Sequence, residues 1–346
     1  MSKARLYRGA WDILAVVAAC FVALAGCRSG GGHKPDPPPV PPAPTTTQPP
    51  APPTPPPTQP PGPAPDPCAG MPRVEAGRLT PRICWATVWM LADSGEGTIE
   101  HACGLAKRAG FTGVLWGISP STKEARVRYV LAVCARKGLW AGIGLQPWDV
   151  VRQGNDWSQW YSANLVPEAQ TYAWARGIVE RYRGDANAHR IAFWSSGVLD
   201  EGERKYGSLG AAQRIADHIA RAAHDVDPCR LTMHFPRASH RSTDDVGRHP
   251  WHEVVTIQSD HSWGCDPTYT RNLYVQAPWG PVWNYEPLYS GLGHDDALPA
   301  IRAVDAREND GWVTWGDIKA ACFLAGWEAA FDSEHARAVV RAWRGR

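Results

Sequence analysis

Pro281-Val-Trp-Asn-Tyr-Glu-Pro-Leu-Tyr-Ser-Gly291 reads as a short strand that delivers one carboxylate, Glu286, at its end. Side chains of a strand alternate between its faces, so Val282, Asn284 and Glu286 share one face and Trp283 and Tyr285 the other. A strand of a closed β/α barrel needs such a division, with large apolar groups outward under the helices and smaller or polar groups in the lumen. Pro287 cannot donate to a central ladder, so the strand stops where Glu286 emerges. An acid at the carboxyl end of a parallel strand stands where barrel enzymes keep their chemistry.

Working outward from this motif, the chain alternates strand-like and helix-like segments from residue 80 onward. Strands are expected at 83–91, 111–118, 139–145, 191–199, 231–235 and 254–258, with the quoted motif as the seventh and 327–331 as the eighth. Helices are expected at 98–109, 122–137, 167–183, 211–224 and 317–325, with a last one running to Trp343. Gly110 and Gly138 stand as stops and Pro167 as a start. Repeating units of this number predict an α/β fold, a (β/α)8 TIM barrel. A doubly wound open sheet is the competing architecture, but no G-x-G-x-x-G follows the first strand.

The front of the chain is of another kind. Lys3, Arg5 and Arg8 precede an apolar run over 13–25 that is short for a membrane-spanning helix, the pattern of a signal peptide over residues 1–26. Leu24-Ala-Gly-Cys27 resembles a bacterial lipobox, which implies cleavage before Cys27 and lipid attached to its thiol. Residues 27–67 form a linker, and 19 of the 32 prolines fall between 35 and 67. Such a segment cannot build a core and favours extended polyproline conformations. Lipid, spacer and folded domain together describe a protein of the bacterial cell envelope, periplasmic or surface-exposed, with the membrane as one partner.

Residues 68–346 then suit one catalytic-sized domain, close to the ~250 residues of a typical barrel. This part carries 31 basic and 31 acidic residues, a balance that argues against a nucleic-acid partner. Seven cysteines remain in it, in a compartment that permits disulfides, and the odd number leaves at least one unpaired. No C-x-x-C spacing points to zinc or redox work, and Cys103 and Cys134 read as core thiols. No cofactor or metal is implied.

The fourth strand runs Ile191-Ala-Phe-Trp-Ser-Ser-Gly-Val-Leu-Asp-Glu201, bringing Asp200 and Glu201 just past its end. Glycosidic cleavage needs one carboxyl group to protonate the leaving oxygen and another to attack or to activate water. Acids from the fourth and seventh strands would flank a sugar across the mouth. The bland alternative makes Asp200 and Glu201 a helix start, with Lys205 as their surface partner. In the fifth strand Leu231, Met233 and Phe235 are expected to face the helices, turning Thr232 and His234 into the lumen. In the sixth, Val255 and Ile257 point outward, leaving Thr256, Gln258 and Asp260 inward with His261 at the exit. Indole faces pack on sugar rings, and Trp89, Trp148, Trp194 and Trp263 lie at or near strand ends.

At this point the chain resembles the apiosidase-like glycoside hydrolases, a barrel family of the retaining-glycosidase type. Pro281 to Gly291 fits that family's P-V-x-N-x-E-P-x-Y-x-G, and Glu180-Arg-Tyr-Arg183 fits its E-R-Y-R. Trp194 to Asp200 approximates its W-x-x-G-G-D. Met233-His-Phe-Pro236 is similar to its F-H-P, and Gln258-Ser-Asp-His261 to its Q-S-G-H. The resemblance implies Glu286 as nucleophile or base and Asp200 as acid/base, with His234 and His261 lining the sugar site; Asn284 and Tyr289 belong to the same motif as Glu286. Two departures stand out. The Gly-Gly-Asp turn is lengthened to Gly197-Val-Leu-Asp200, which leaves Glu201 as an alternative acid. The family's D-T-x-W appears as Ala86-Thr-Val-Trp89, without its acid.

Three functions follow as expectations. The first is a membrane-tethered hydrolase of O-glycosidic bonds in a polysaccharide or oligosaccharide. The second is a carbohydrate-binding lipoprotein on a decayed barrel. The third, a metal-dependent hydrolase using His234, Asp260, His261, His249 or His252, lacks both a first-strand H-x-H and any H-E-x-x-H.

Overall fold

The computed structural model describes residues 66, 68–149, 164–197, 199–237, 241–242, 246–247, 249, 251–258, 281–286, 312–317 and 327–345. A two-stranded antiparallel hairpin comes first, β1 (Arg73–Glu75) and β2 (Arg78–Thr80). Eight strands follow: β3 (Ile83–Thr87), β4 (Gly113–Ile118), β5 (Trp140–Leu145), β6 (Ile191–Ser196), β7 (Leu231–Met233), β8 (Val255–Gln258), β9 (Val282–Glu286) and β10 (Trp312–Asp317). Six of them pair in the order β10-β3-β4-β5-β6-β7 and two as β8-β9, every pairing parallel. Pairing of β10 with β3 joins the last strand to the first. At the two other seams the Thr256 hydroxyl donates to the His234 carbonyl oxygen, and β9 packs on β10. The result is a (β/α)8 ring.

The helices are α1 (Glu96–Ala109), α2 (Glu124–Lys137), α3 (Thr171–Arg183), α4 (Leu199–Tyr206), α5 (Leu209–Val226) and α6 (Glu334–Arg344). Gly110 and Gly138 end α1 and α2 in the left-handed conformation expected of them. Ile99 and Cys103 of α1, Val130 and Cys134 of α2, Val179 of α3 and Ile219 of α5 pack against the outward residues Val114, Trp116, Ala141, Ile143 and Trp194. Cys84, Cys103 and Cys134 are buried thiols, while Cys68 bonds to Cys229, tying the segment before β1 to the turn ahead of β7. Cys265 and Cys322 lie outside the described residues.

Two expectations about elements are corrected. The eighth strand is Trp312–Asp317, and 327–331 is helical. Trp327 stacks on Phe331 one turn later, and Ala330 and Phe331 are buried while Glu328 and Ala329 are exposed, the signature of a helix. Asp317, expected to open a helix, is the last residue of β10.

The second correction concerns which way the strands face. Trp85, Phe193, Met233, Phe235 and Trp283 form one cluster, separate from the helix-facing one, and it fills the lumen. The Trp85 ring lies 5.3 Å from Phe193 and 6.0 Å from Trp283, and Phe235 closes the group 6.1 Å from Trp283. Leu231, Met233, Phe235 and Trp283 thus point inward, opposite to expectation, and Thr232 and His234 outward. The reason is volume. Facing these rings, β4 and β5 offer Gly113 and Gly142, where no side chain fits. A Cβ at Gly113 would lie 2.6 Å from the Trp85 ring, and one at Gly142 would overlap the Phe193 ring. Aromatic groups from four strands occupy the space that two strands vacate.

Gly142→Ala is therefore expected to cost about 1–3 kcal/mol or more by overpacking, seen as a lower urea midpoint at unchanged slope. Gly177→Ala serves as control: it lies inside α3 with nothing within 4 Å of the added methyl, and should gain up to about 1 kcal/mol.

Candidate active site

The register of β9 decides where Glu286 stands. Val255 pairs with Val282, Thr256 with Trp283 and Ile257 with Asn284, after which Gln258 pairs with Glu286, so Tyr285 is one residue extra. Paired residues of parallel strands share a face, and Val254 of the lumen cluster marks the face of Thr256 and Gln258. Strict alternation from the inward Trp283 would have sent position 286 to the helix side. The bulge returns it to the lumen-face register of Gln258. Bulges of this kind re-aim residues beside active sites.

The neighbouring strand repeats the device. Trp315 pairs with Ala86 and Asp317 with Thr87, skipping Gly316. Thr87 shares the face of Ile83 and Trp85, so Asp317 takes a lumen-face register at the carboxyl end of β10, beside β9. Sequence reasoning missed this acid. The alternation of Trp312-Val-Thr-Trp-Gly-Asp317 was the available signal, obscured by a glycine in a helix-like surrounding.

Across the ring, β6 stops at Ser196, and Gly197 N–H donates to Leu145 O at 2.9 Å. Helix α4 begins at once, with Leu199 N–H donating to Phe235 O at 3.2 Å, so Asp200 and Glu201 are its second and third residues. Consecutive helix residues project about 100° apart and cannot both face one bound sugar. Glu201 is exposed and acts on Lys205 one turn later, where it opposes the lowering that burial imposes on the ammonium group.

Trp148 is a platform for this helix. It is buried, its ring 6.3 Å from Tyr206 of α4 and within about 4 Å of a Cβ on Gly197 or Gly202. The Tyr206 hydroxyl donates to Val166 O at 2.7 Å, pinning the end of α4 to the loop after β5. Trp194, also expected at the sugar site, faces outward and donates its indole N–H to Asp227 at 2.9 Å. Both indoles pack where their strands meet helices, because the lumen is already filled.

Trp89 is different. Its ring lies over Gly144 and Gly117 in the lumen and edge-on to Phe235 at 5.5 Å, closing the top of the aromatic core. Gln146 follows Gly144 on the same face, and Gln258 is buried beside the Glu286 register. Asp260, His261, Trp263 and Tyr289 lie outside the described residues. On the rim above β3–β5 a cleft of about 360 Å³ is lined by Asp93, Ser94, Ser121, Lys123, Arg126 and Asp149. Burial alone would raise the Asp149 carboxyl, but hydrogen bonds from Ser121 and Asn164 outweigh it and hold the group below the usual range.

His234 belongs to the helix side. Its Nδ1 is 2.6 Å from the Ser196 hydroxyl, its Nε2 has no partner among the described residues, and its ring lies 6.2 Å from that of His252. Neither ring nitrogen of His252 has a partner among the described residues, and His249 follows at 5.6 Å, stacked on Trp251, which donates to Asp217 of α5 at 3.2 Å. The cluster fastens the segment between β7 and β8 onto α5.

An eight-stranded parallel ring with acids in lumen-face register at the carboxyl ends of two adjacent strands has the layout of a barrel enzyme. The model of the family described as "Apiosidase-like, catalytic domain" matches residues 125–323, more than half of the chain. The chain belongs to that family and is a glycoside hydrolase by class. Solved structures carry the same fold. A structure described as "Glycoside hydrolase" superposes with a TM-score of 0.58 at 14% identity, covering 78% of this chain and 73% of that one. A glycoside hydrolase family 5 protein from Bacteroides vulgatus gives 0.58 at 14% identity, with 78% and 70% covered. The endo-1,4-beta-mannanase from Rhizomucor miehei gives 0.57 at 10% identity, with 80% and 99% covered. No curated protein matches the sequence.

The histidine cluster predicts a pH dependence. Burial, and then the neighbouring His252, pushes His234 well below its ordinary value, while burial and His249 take His252 down to about 3. The unfolded chain protonates both near pH 6.5, whereas the folded chain resists. Stability is therefore full above that value and falls as the pH drops toward 3, by up to about 1.4 kcal/mol per unit for each histidine. In urea titrations at pH 7, 5.5 and 4.5, His252→Gln should show the shallower decline. Equal slopes would show that the ring titrates freely.

Proposed function

We propose that the protein is a lipid-tethered glycoside hydrolase cleaving O-glycosidic bonds of a polysaccharide or oligosaccharide with two carboxyl groups. Glu286 serves as nucleophile or base and Asp200 as the proton donor. The observation that carries this reading is the bulge at Tyr285, which brings Glu286 into the lumen-face register of Gln258 at the end of its strand. Strand β9 is seventh in the ring and β6, which leads into α4, is fourth, so the two acids approach a sugar from opposite sides. A carboxyl separation of about 5–5.5 Å would give retention of configuration, and about 6.5–9.5 Å inversion. Membership in the apiosidase-like family supports a carbohydrate substrate.

A binding protein on a decayed barrel is less favoured for one structural reason. Ala86, which stands where the family motif has an acid, is buried in the helix-facing cluster, so no carboxylate is subtracted from the lumen there. The tether is part of the proposal: lipid on Cys27, then the proline-rich spacer, holding the domain at the cell envelope.

Glu286→Gln should lower kcat/KM on a responsive glycan by more than about 10³-fold with unaltered folding. Asp200→Asn should lose about 10²–10⁴-fold on natural glycosides but far less on 4-nitrophenyl glycosides, whose leaving group needs no proton. If Asp317→Asn shows that leaving-group pattern and Asp200→Asn does not, the acid role passes to β10. Full activity of Glu286→Gln would remove the proposal. In cells fed labelled palmitate, the label should enter the chain and be lost in Cys27→Ser; labelling that persists in the variant would rule out lipid on this cysteine.

A further inference from the structure

We infer that Gln146 is a specificity-determining residue, its amide reading one ring hydroxyl of a neutral sugar seated beside Trp89; this rests on the hydrolase reading above. Strand β5 carries Trp140, Gly142 and Gly144 toward the lumen, and Gln146 takes the next position of that face at the carboxyl end. Gln146 is only 7% exposed, and its amide, without a hydrogen bond among the described residues, keeps its contact with solvent. An amide held by packing yet open to water can exchange that water for a ligand hydroxyl. Here the open side is the barrel mouth.

The surroundings are shaped to keep that amide free. A Cβ on Gly117 would come 2.9 Å from the Gln146 Oε1, and one on Gly197 would come 3.0 Å from its Cγ. A Cβ on Gly144 would lie 2.6 Å from the Trp89 ring. Three different positions, on β4, β5 and just past β6, therefore leave out a side chain around one amide and one indole. Trp89 is 8% exposed at this spot. An indole beside an amide that can both donate and accept suits a sugar: the C–H face lies on the ring while one hydroxyl satisfies both amide groups. A charged ligand would find no opposite charge among these residues.

A site built to bond a hydroxyl rejects the analogue that lacks it, because its own polar group is then left unpaired. The test uses methyl glycosides of common pentoses and hexoses and their monodeoxy counterparts. Affinities are measured by calorimetry on the Glu286→Gln chain, alone and combined with Gln146→Ala or Gly117→Ala. One deoxy position should weaken binding by about 10-fold or more to the Gln146 chain. In Gln146→Ala the parent sugar should weaken by a similar factor, while the deoxy sugar weakens no further. Gly117→Ala, which crowds the amide, should behave like Gln146→Ala.

Unchanged affinity in Gln146→Ala, equal further losses for every deoxy sugar, or no sugar bound at all would overturn the assignment. Binding needs no turnover, so the two readings separate. Loss of the hydroxyl preference with Glu286→Gln fully active on a glycan would sink the catalytic assignment and leave Gln146 in place. An inactive Glu286→Gln with the preference untouched would do the reverse.

Discussion

The interlocking of Trp85, Phe193, Phe235 and Trp283 inside the ring is the constraint on which the rest of the molecule depends. Aromatic groups of this size occupy a lumen only where facing positions are empty, and Gly113 and Gly142 supply that emptiness. Once the rings are seated, the facing of β3, β6, β7 and β9 is settled. Trp89 lies on top of them as the floor of the mouth, and residues beyond that layer are the ones open to a ligand.

Placing an acid above such a core requires a change of phase. With Trp283 inward, an uninterrupted strand would carry residue 286 outward. The extra Tyr285 shifts the register by one, and Gly316 does the same ahead of Asp317 on the adjacent strand. Bulges cost ladder hydrogen bonds, so two of them at the same end of neighbouring strands mark a place where facing matters more than regularity. On the other side of the mouth α4 is held by Trp148, by the Tyr206 hydroxyl and by the Leu199 amide, so the backbone of Asp200 is fixed from three directions.

Much of this was legible beforehand. The succession of strands and helices from residue 80, the left-handed glycine stops of α1 and α2, and the buried thiols of Cys103 and Cys134 follow from local patterns. The outward facing of Val255 and Ile257 agrees with the register of β8 against the lumen residue Val254. The failures of strand facing share one origin. A rule that sends bulky groups outward inverted β7 and β9, and with them His234 and Trp283, because it could not see glycines on other strands. Trp194 and Trp148 looked like sugar platforms from their positions at strand ends, yet their partners, Asp227 and Tyr206, lie 33 and 58 residues further along the chain.

The sequence by itself determined the first seven barrel strands and most of the helices, the barrel class and the motif around Glu286, because these are written in spacings shorter than about ten residues. Which face each strand shows, where Glu286 and Asp317 stand in register, and what surrounds the Gln146 amide were decided only in three dimensions. Each of these depends on whether a volume is filled by a residue on a distant strand, and no local pattern contains that information.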